Sequence, residues 1–413
     1  MKVVFVIWIL LSSAYQYLSA RTPVNEAPAV RQALAYLQKV EPETIAEQIR
    51  ICEIPAPPFK EQARIDYIKR RFTELGLQNV RVDSIGNVIG EYRGDSGKPT
   101  LALSAHLDTV FPEGTEIKVV RDGSVLRAPG ISDDARGLAV ILAVARALQH
   151  TKIKTQGDIL FVATVGEEGL GNLRGVRHLF QRSLKDRITD FISVDGVGLG
   201  AISIPVGSNR YRVTFHGAGG HSYNDFGIPN PLHALGRAIA GIADFQVPAH
   251  PKATFSVGRV GGGTSVNSIA YTAWMEVDLR SEDAAELAKL DAAFHRAVFS
   301  SLREENGRWR SDDTLTVEIE SLGERPLGRL PDDAEILQAV RRADQALGIE
   351  TRYHSGSTDS NLPISLGIPA LTLCGGGSGS HKHSLQETFD TRDSHLGTQR
   401  ALLTVLEIVG VVK

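Results

Sequence analysis

The sequence predicts an α/β protein, a mostly parallel sheet covered on both faces by helices, with a smaller α+β unit inserted into it. Three observations carry this. The short apolar runs "TLALSAH" (100–106), "DILFVATVG" (158–166) and "FISVDG" (191–196) are too continuous for a sheet with one wet face. Between the first two, Leu138, Ile141, Leu142, Ala145 and Leu148 recur at three- and four-residue spacing, which makes 135–150 an amphipathic helix. From about 207 to 324 the order becomes strand, helix, two strands, helix, strand, as in a ferredoxin-like unit.

Taken in order, the chain opens with Met1-Lys2, the apolar stretch "VVFVIWILLSSA" (3–14) and "YQYLSA", which ends in small residues before Arg21. This reads as a secretory signal over 1–20, cleaved after Ala20, because the apolar run falls short of the ~20 residues that span a bilayer. The expected location is therefore periplasmic or extracellular. The pattern is helical over 42–76, and "VRVDSIGNVIGEY" (80–92) reads as a hairpin through Gly86-Asn87. After the three apolar runs, the inserted unit offers a strand at 210–217, a helix at 230–245, strands near 254–260 and 270–280, a helix from Asp283 to about Glu305, and a strand at 314–321. A helix over 333–347 and the run "PALTLCGGG" (369–377) resume the first style. The expected domains are 21–206 with 325–413, interrupted by 207–324.

A chain of 413 residues is long for one average domain. Its 45 Lys+Arg against 48 Asp+Glu give no broad basic field, which argues against nucleic acid or an anionic membrane surface as partner. Two cysteines, Cys52 and Cys374, exclude a cysteine-built metal site, and whether they pair is left open.

The chemistry-bearing residues share one address. His106 and Asp108 close the first run, Glu167 and Glu168 the second and Asp195 the third, and His383 follows the run at 369–377. In an open α/β sheet, functional groups collect beyond the carboxyl ends of the strands. Asp133 and Asp134 precede the amphipathic helix, where its dipole favours carboxylates. Carboxylates and imidazoles without thiolates suit zinc foremost, with cobalt or manganese as substitutes. Three ligating carboxylates (Asp133, Glu168, Asp195) against two divalent ions leave one positive charge, which a bridging hydroxide cancels; a single ion would leave a buried anionic cluster. His106 and Asp108 lie two apart and face the same side of a strand, so Asp108 is placed to orient His106. If one of the paired glutamates binds metal, the other is free to act as general base. Singly, each of these pieces reads as a turn or a helix cap.

Together they resemble the di-zinc metallopeptidase family of peptidase T, glutamate carboxypeptidase and aminoacylase, the zinc exopeptidase type, and peptidase T-like members above all. The matching stretches are "SAHLDTV" (104–110), "GISDDARG" (130–137), "GEEGLG" (166–171), "VDG" (194–196), "GAGGHS" (217–222), "VDLR" (277–280) and "HSLQE" (383–387). The resemblance implies two Zn2+ per chain. His106, Asp133 and Asp195 would hold one ion, and Asp133, Glu168 and His383 the other, with Asp133 as bridge. It implies Glu167 as general base, Asp108 as the residue that positions His106, and a cis peptide after Asp133. It also implies that the inserted unit is a lid and dimer surface. His221 would then reach a partner's active site to stabilise the oxyanion, Arg280 would grip a substrate carboxylate, and Asn267 would lie near the substrate. Where many relatives have Lys soon after the bridging Asp, this chain has Ala135-Arg136. Of His381 and His383, the spacing to Glu387 selects His383.

The implied function is exopeptidase hydrolysis of short peptides by a zinc-bridging hydroxide. The alternatives are an N-acyl-amino-acid amidohydrolase and a non-catalytic binding protein on the same scaffold. The formal G-x-G-x-x-A at 196–201 lacks the helix that a dinucleotide site requires, because "ISIPVGSNRYRVTF" reads as strand and turn.

Overall fold

The computed structural model describes residues 23–412; the signal segment expected at 1–20 lies outside the described residues. The large sheet has eight strands in the order Gln78–Val82, Val88–Tyr92, Asp158–Thr164, Thr100–His106, Asp190–Val194, Ala370–Leu373, Ala201–Pro205, Tyr353–Gly356. Its four central strands, from Asp158–Thr164 to Ala370–Leu373, run parallel. Antiparallel pairings flank them, and the last two strands are parallel to each other. Every residue of Thr100–His106 and of Ala370–Leu373 is buried, which explains why these segments read as unbroken apolar runs rather than alternating ones.

Register levels the carboxyl ends. His106 lies opposite Thr164, Ser104 opposite Ser193 and Val194 opposite Leu373, so residues just past each strand emerge at one rim. Helix Ala135–Thr151 packs on strand Thr100–His106 and is itself covered by helices Pro28–Lys39, Glu41–Cys52 and His395–Val409. Its Gly137 tolerates no side chain, since a Cβ there would sit 2.2 Å from the carbonyl of Val194. The helical pattern expected over 42–76 is two helices, Glu41–Cys52 and Gln62–Glu74. The break follows from Pro55, Pro57 and Pro58, which forbid helical continuation more strongly than the apolar spacing favours it.

Residues 207–325 form a separate antiparallel sheet in the order Ala253–Gly262, Thr272–Ser281, Gly207–His216, Thr316–Arg325, with helices Pro231–Ala243 and Ala284–Arg308 packed on it. By chain position that is strand order 2-3-1-4, the ferredoxin-like arrangement. It has its own apolar core, built on Val213, Phe215, Met275, Leu279 and Phe294. No helix among the described residues is long and apolar enough to cross a membrane. Cys52 and Cys374 are both free.

A third, small sheet was not expected from the sequence. Strands Ser378–Ser380, Thr388–Asp390, Val125–Arg127 and Val120–Asp122 pair in that order. It brings the turn containing His383 against the segment that leads to Asp133, where the Ala128 amide donates to the carbonyl of Glu387 at 3.1 Å.

Candidate metal centre

The rim gathers six of the expected side chains into one cluster, buried except for the half-exposed ring of His383. Donor atoms of His106, Asp133 and Asp195, of Asp133, Glu168 and His383, and of His106, Glu167 and Glu168 converge in three overlapping groups, each within 4.8 Å. Asp133 is shared between the first two: its Oδ1 lies 2.9 Å from His106 Nε2 and its Oδ2 2.9 Å from His383 Nε2. His383 Nε2 also lies 3.1 Å from Glu168 Oε1. His381 stays outside the cluster, its ring on the Ser380 hydroxyl at 2.8 Å.

Local chemistry places each group. Glu387 accepts from the amides of Gly130 (3.0 Å), Ser132 (2.8 Å) and Asp133 (3.1 Å) and from the Ser132 hydroxyl (2.5 Å), and so holds the loop that presents Asp133. Asp134 caps helix Ala135–Thr151 by accepting from the Gly137 amide (3.0 Å), while its other oxygen accepts from the His106 amide (3.0 Å). The peptide between Asp133 and Asp134 is cis. Arg136 contributes nothing to the cluster; it is buried on Glu41, Gly375, Ser394 and Thr398.

Asp108 differs from the sequence expectation. Its carboxylate accepts from the amides of Glu167 (3.0 Å) and Glu168 (2.8 Å), whereas the His106 ring is met by the main-chain carbonyl of Asp108 at 3.0 Å and by its carboxylate only at 3.7 Å. Two consecutive amides outcompete one ring nitrogen for a buried carboxylate, and the spare carbonyl takes the ring. Asp108 thus orients His106 through its backbone and fixes the paired glutamates through its side chain.

These contacts test whether a cation belongs here. The carbonyl of Asp108 requires a proton on His106 Nδ1, so a neutral ring turns the lone pair of Nε2 toward a carboxylate oxygen at 2.9 Å. Two acceptors that close repel unless a cation lies between them. The spacing fits ligands that each reach about 2.1 Å to a shared ion. The Lys382 ammonium already answers part of the charge, 3.0 Å from Asp133 Oδ2 and 3.2 Å from Asp195 Oδ1. The acidities reflect the same crowding of negative charge. Hydrogen bonds to Asp133 and Glu168 push His383 up to about 10. Burial works to raise Asp133, yet Lys382 and the two histidines hold it well below the usual range. Burial, with Asp133 and Glu167 nearby, lifts Glu168 to about 7. The donor set fits a pair of divalent ions.

Three expected substrate residues stand apart from the cluster. His221 is exposed in the short strand Gly220–His221, its Nδ1 accepting from the Tyr223 amide at 3.2 Å. Asn267 is exposed on the neighbouring loop, where its carbonyl accepts from the Ser222 amide at 3.0 Å. Arg280 lies on the outer face of the inserted sheet, its Nε on Asp278 at 2.6 Å. Sequence reasoning missed Lys382, used Glu387 only as a spacing mark, and missed Arg325, whose guanidinium is buried against Glu167 with Nη1 2.7 Å from Oε1. "HKHSLQE" held a signal for the first two; nothing local marked the third.

Known proteins share the sequence pattern and the fold. The description Peptidase family M20/M25/M40 matches residues 102–407. The chain is 24% identical over 394 residues to the uncharacterized protein YqjE of Bacillus subtilis, covering 90% of this chain and 98% of that one. It is 27% identical over 249 residues to the N-acetylcysteine deacetylase of Bacillus subtilis, covering 55% and 62% of the two chains. Among solved structures, aminopeptidase PepT from Bacillus cereus superposes with a TM-score of 0.70 at 20% identity, over 89% of this chain and 98% of that one. The Bacillus subtilis YXEP protein, a dinuclear metal binding peptidase from the M20 family, gives 0.66 at 19%, over 90% and 99%.

Proposed function

The chain belongs to the peptidase family M20/M25/M40, and from that premise we propose that this metal-dependent hydrolase of peptide or amide bonds is a di-zinc exopeptidase of short peptides. The observation that carries the proposal is Asp133, with a different imidazole on each of its two oxygens. In this reading His106, Asp133 and Asp195 hold one ion and Asp133, Glu168 and His383 the other; cobalt or manganese would substitute for zinc. When bound, the ions supply Lewis-acid polarisation of the scissile carbonyl and lower the pKa of the attacking water.

The remaining work falls to side chains. Glu167 takes the proton of the water as its oxygen bonds to the carbonyl carbon, and delivers it to the nitrogen as the C–N bond breaks. Asp108 holds the Glu167-Glu168 turn through both amides. Arg280 holds a substrate carboxylate, Asn267 lies near the substrate, and His221 donates to the oxyanion of a second subunit's site. This last role makes the inserted unit a lid and dimer surface. A homodimer in sedimentation equilibrium that loses turnover on His221→Ala is the expected result; a fully active monomer would remove the role. Export after cleavage at Ala20 is tested by N-terminal sequencing of the secreted chain, which should begin at Arg21.

Turnover of a di- and tripeptide panel with two zinc ions per chain is the expected outcome, and Glu167→Gln should abolish it while keeping the metal. Arg280→Ala should chiefly raise KM. Likeness to the deacetylase favours a second reading, an N-acyl-amino-acid amidohydrolase. Hydrolysis of N-acyl amino acids with no peptide turnover would select it; two bound metals with neither activity would point to a binding protein.

A further inference from the structure

We propose that Arg325 is a positioning residue for the reaction: delivered by the last strand of the inserted sheet, its guanidinium fixes Glu167, so that the base is held by the inserted unit as well as by its own segment. The inference rests on the assignment of Glu167 as base. Arg325 Nη1 donates to Glu167 Oε1 at 2.7 Å and Nη2 donates to the main-chain carbonyl of the same residue. This two-point grip fixes the side chain relative to its own backbone. Among the described residues no hydrogen bond reaches Oε2, which leaves that oxygen for the water. Both partners are about 5% exposed, so neither charge finds compensation in solvent.

The sheet is built to deliver this residue. Strand Thr316–Arg325 pairs with Gly207–His216 from Thr316 opposite His216 to Ser321 opposite Tyr211, and then skips one residue, so that Gly323 faces Arg210 and Arg325 faces Ser208. Without that bulge Glu324 would lie opposite Ser208, and the alternation would turn a carboxylate instead of a guanidinium toward Glu167. Gly323 makes the bulge possible, with φ of +148° and a would-be Cβ 3.0 Å from Asn172. The same junction is clasped three more times. Arg210 Nη1 donates to the Gly169 carbonyl at 2.9 Å, the Glu324 amide to Asn172 Oδ1 at 2.9 Å, and Arg177 Nη2 to the Glu324 carbonyl at 2.8 Å. The segment that carries the paired glutamates is thus tied to the inserted sheet.

The test uses the metal-loaded full chain with a peptide substrate, and compares Arg325→Met, Arg325→Lys and Arg325→Ala with Glu167→Gln. Arg325→Met should lower kcat by about 100-fold with KM changed less than about threefold and metal content unchanged; Arg325→Lys should retain more activity than Arg325→Met. Free guanidinium should restore part of the kcat of Arg325→Ala and none of that of Glu167→Gln. Full kcat in Arg325→Met with Glu167→Gln inactive would overturn the proposal while leaving the base in place, whereas an active Glu167→Gln would overturn the base itself. If Arg325→Met folds poorly or loses metal, the guanidinium response of Arg325→Ala decides, its absence being contrary.

Discussion

Strand Thr100–His106 of the large sheet is buried at every residue, whereas strand Thr272–Ser281 of the inserted sheet alternates, with Ala273, Met275, Val277 and Leu279 turned to its core and Trp274, Glu276, Asp278 and Arg280 turned outward. The two sheets therefore handle charge differently. On the inserted sheet opposite charges neighbour one another across strands, as in Arg212 with Glu276 at 3.0 Å and Arg210 with Asp278 at 3.1 Å, and water screens what remains. In the central parallel strands of the large sheet the strands carry almost none until their carboxyl ends, where the buried acids Asp108, Glu167, Glu168 and Asp195 crowd together with Asp133 and His106. A concentration of that kind is tolerable only with cations inside it. Charge on one sheet is distributed and replaceable; on the other it is collected for use.

The sharpest way to break this contrast is to remove the shared ligand. Asp133→Ala should lose both ions by elemental analysis and lower kcat by at least about 10³-fold, as prolonged chelation of the native chain should also do. Turnover that survives either treatment would show that the acids are not there for metal. Next in size is Leu279→Ala in the inserted core, expected to cost about 2–4 kcal/mol in denaturant unfolding. It should leave metal content intact if the two cores are separate.

Glu91 sharpens the comparison because it is a charge of the large sheet that lies away from the rim. Burial alone would raise its pKa, but hydrogen bonds from Arg187, Asn79 and Arg81 bring it down to about 2. A carboxylate whose folded value lies below its unfolded value stabilises above the unfolded one, and that contribution fades as pH falls toward 2. Glu91→Gln should therefore cost about 1–3 kcal/mol at pH 7 and flatten the acid side of a pH–stability curve between about 4.5 and 2. An unchanged curve would mean that the arginines are spectators. The smallest effect is expected at Glu276→Gln on the outer face, under about 1 kcal/mol by thermal melting, since its two arginine partners remain solvated.

What the sequence disclosed follows the same division. Strands buried on both faces announce themselves as apolar runs, and any acid just past such a run is conspicuous. Asp108, Glu167, Glu168 and Asp195 were legible for that reason. Spacing to Glu387 separated His383 from His381, and the cluster now holds the former while Ser380 holds the latter. Arg325 was not legible, because its meaning depends on a one-residue bulge and on a partner 158 positions away. Neither was the small sheet near residues 120–127 and 378–390: three-residue strands are too short for alternation to register. The carboxylate of Asp108 went to amides that only the folded turn creates.

Asp134 has a consequence for how this chain can change in length. One carboxylate stitches the first turn of a helix to the last residue of a strand 28 positions earlier, so the stretch between them is pinned at its two ends. The solvent-facing loop around 112–118, inside that stretch, carries no part of the cluster. Extra residues could be accommodated there without shifting either pinned end, so a lineage that lengthens this chain would find room to grow at this point.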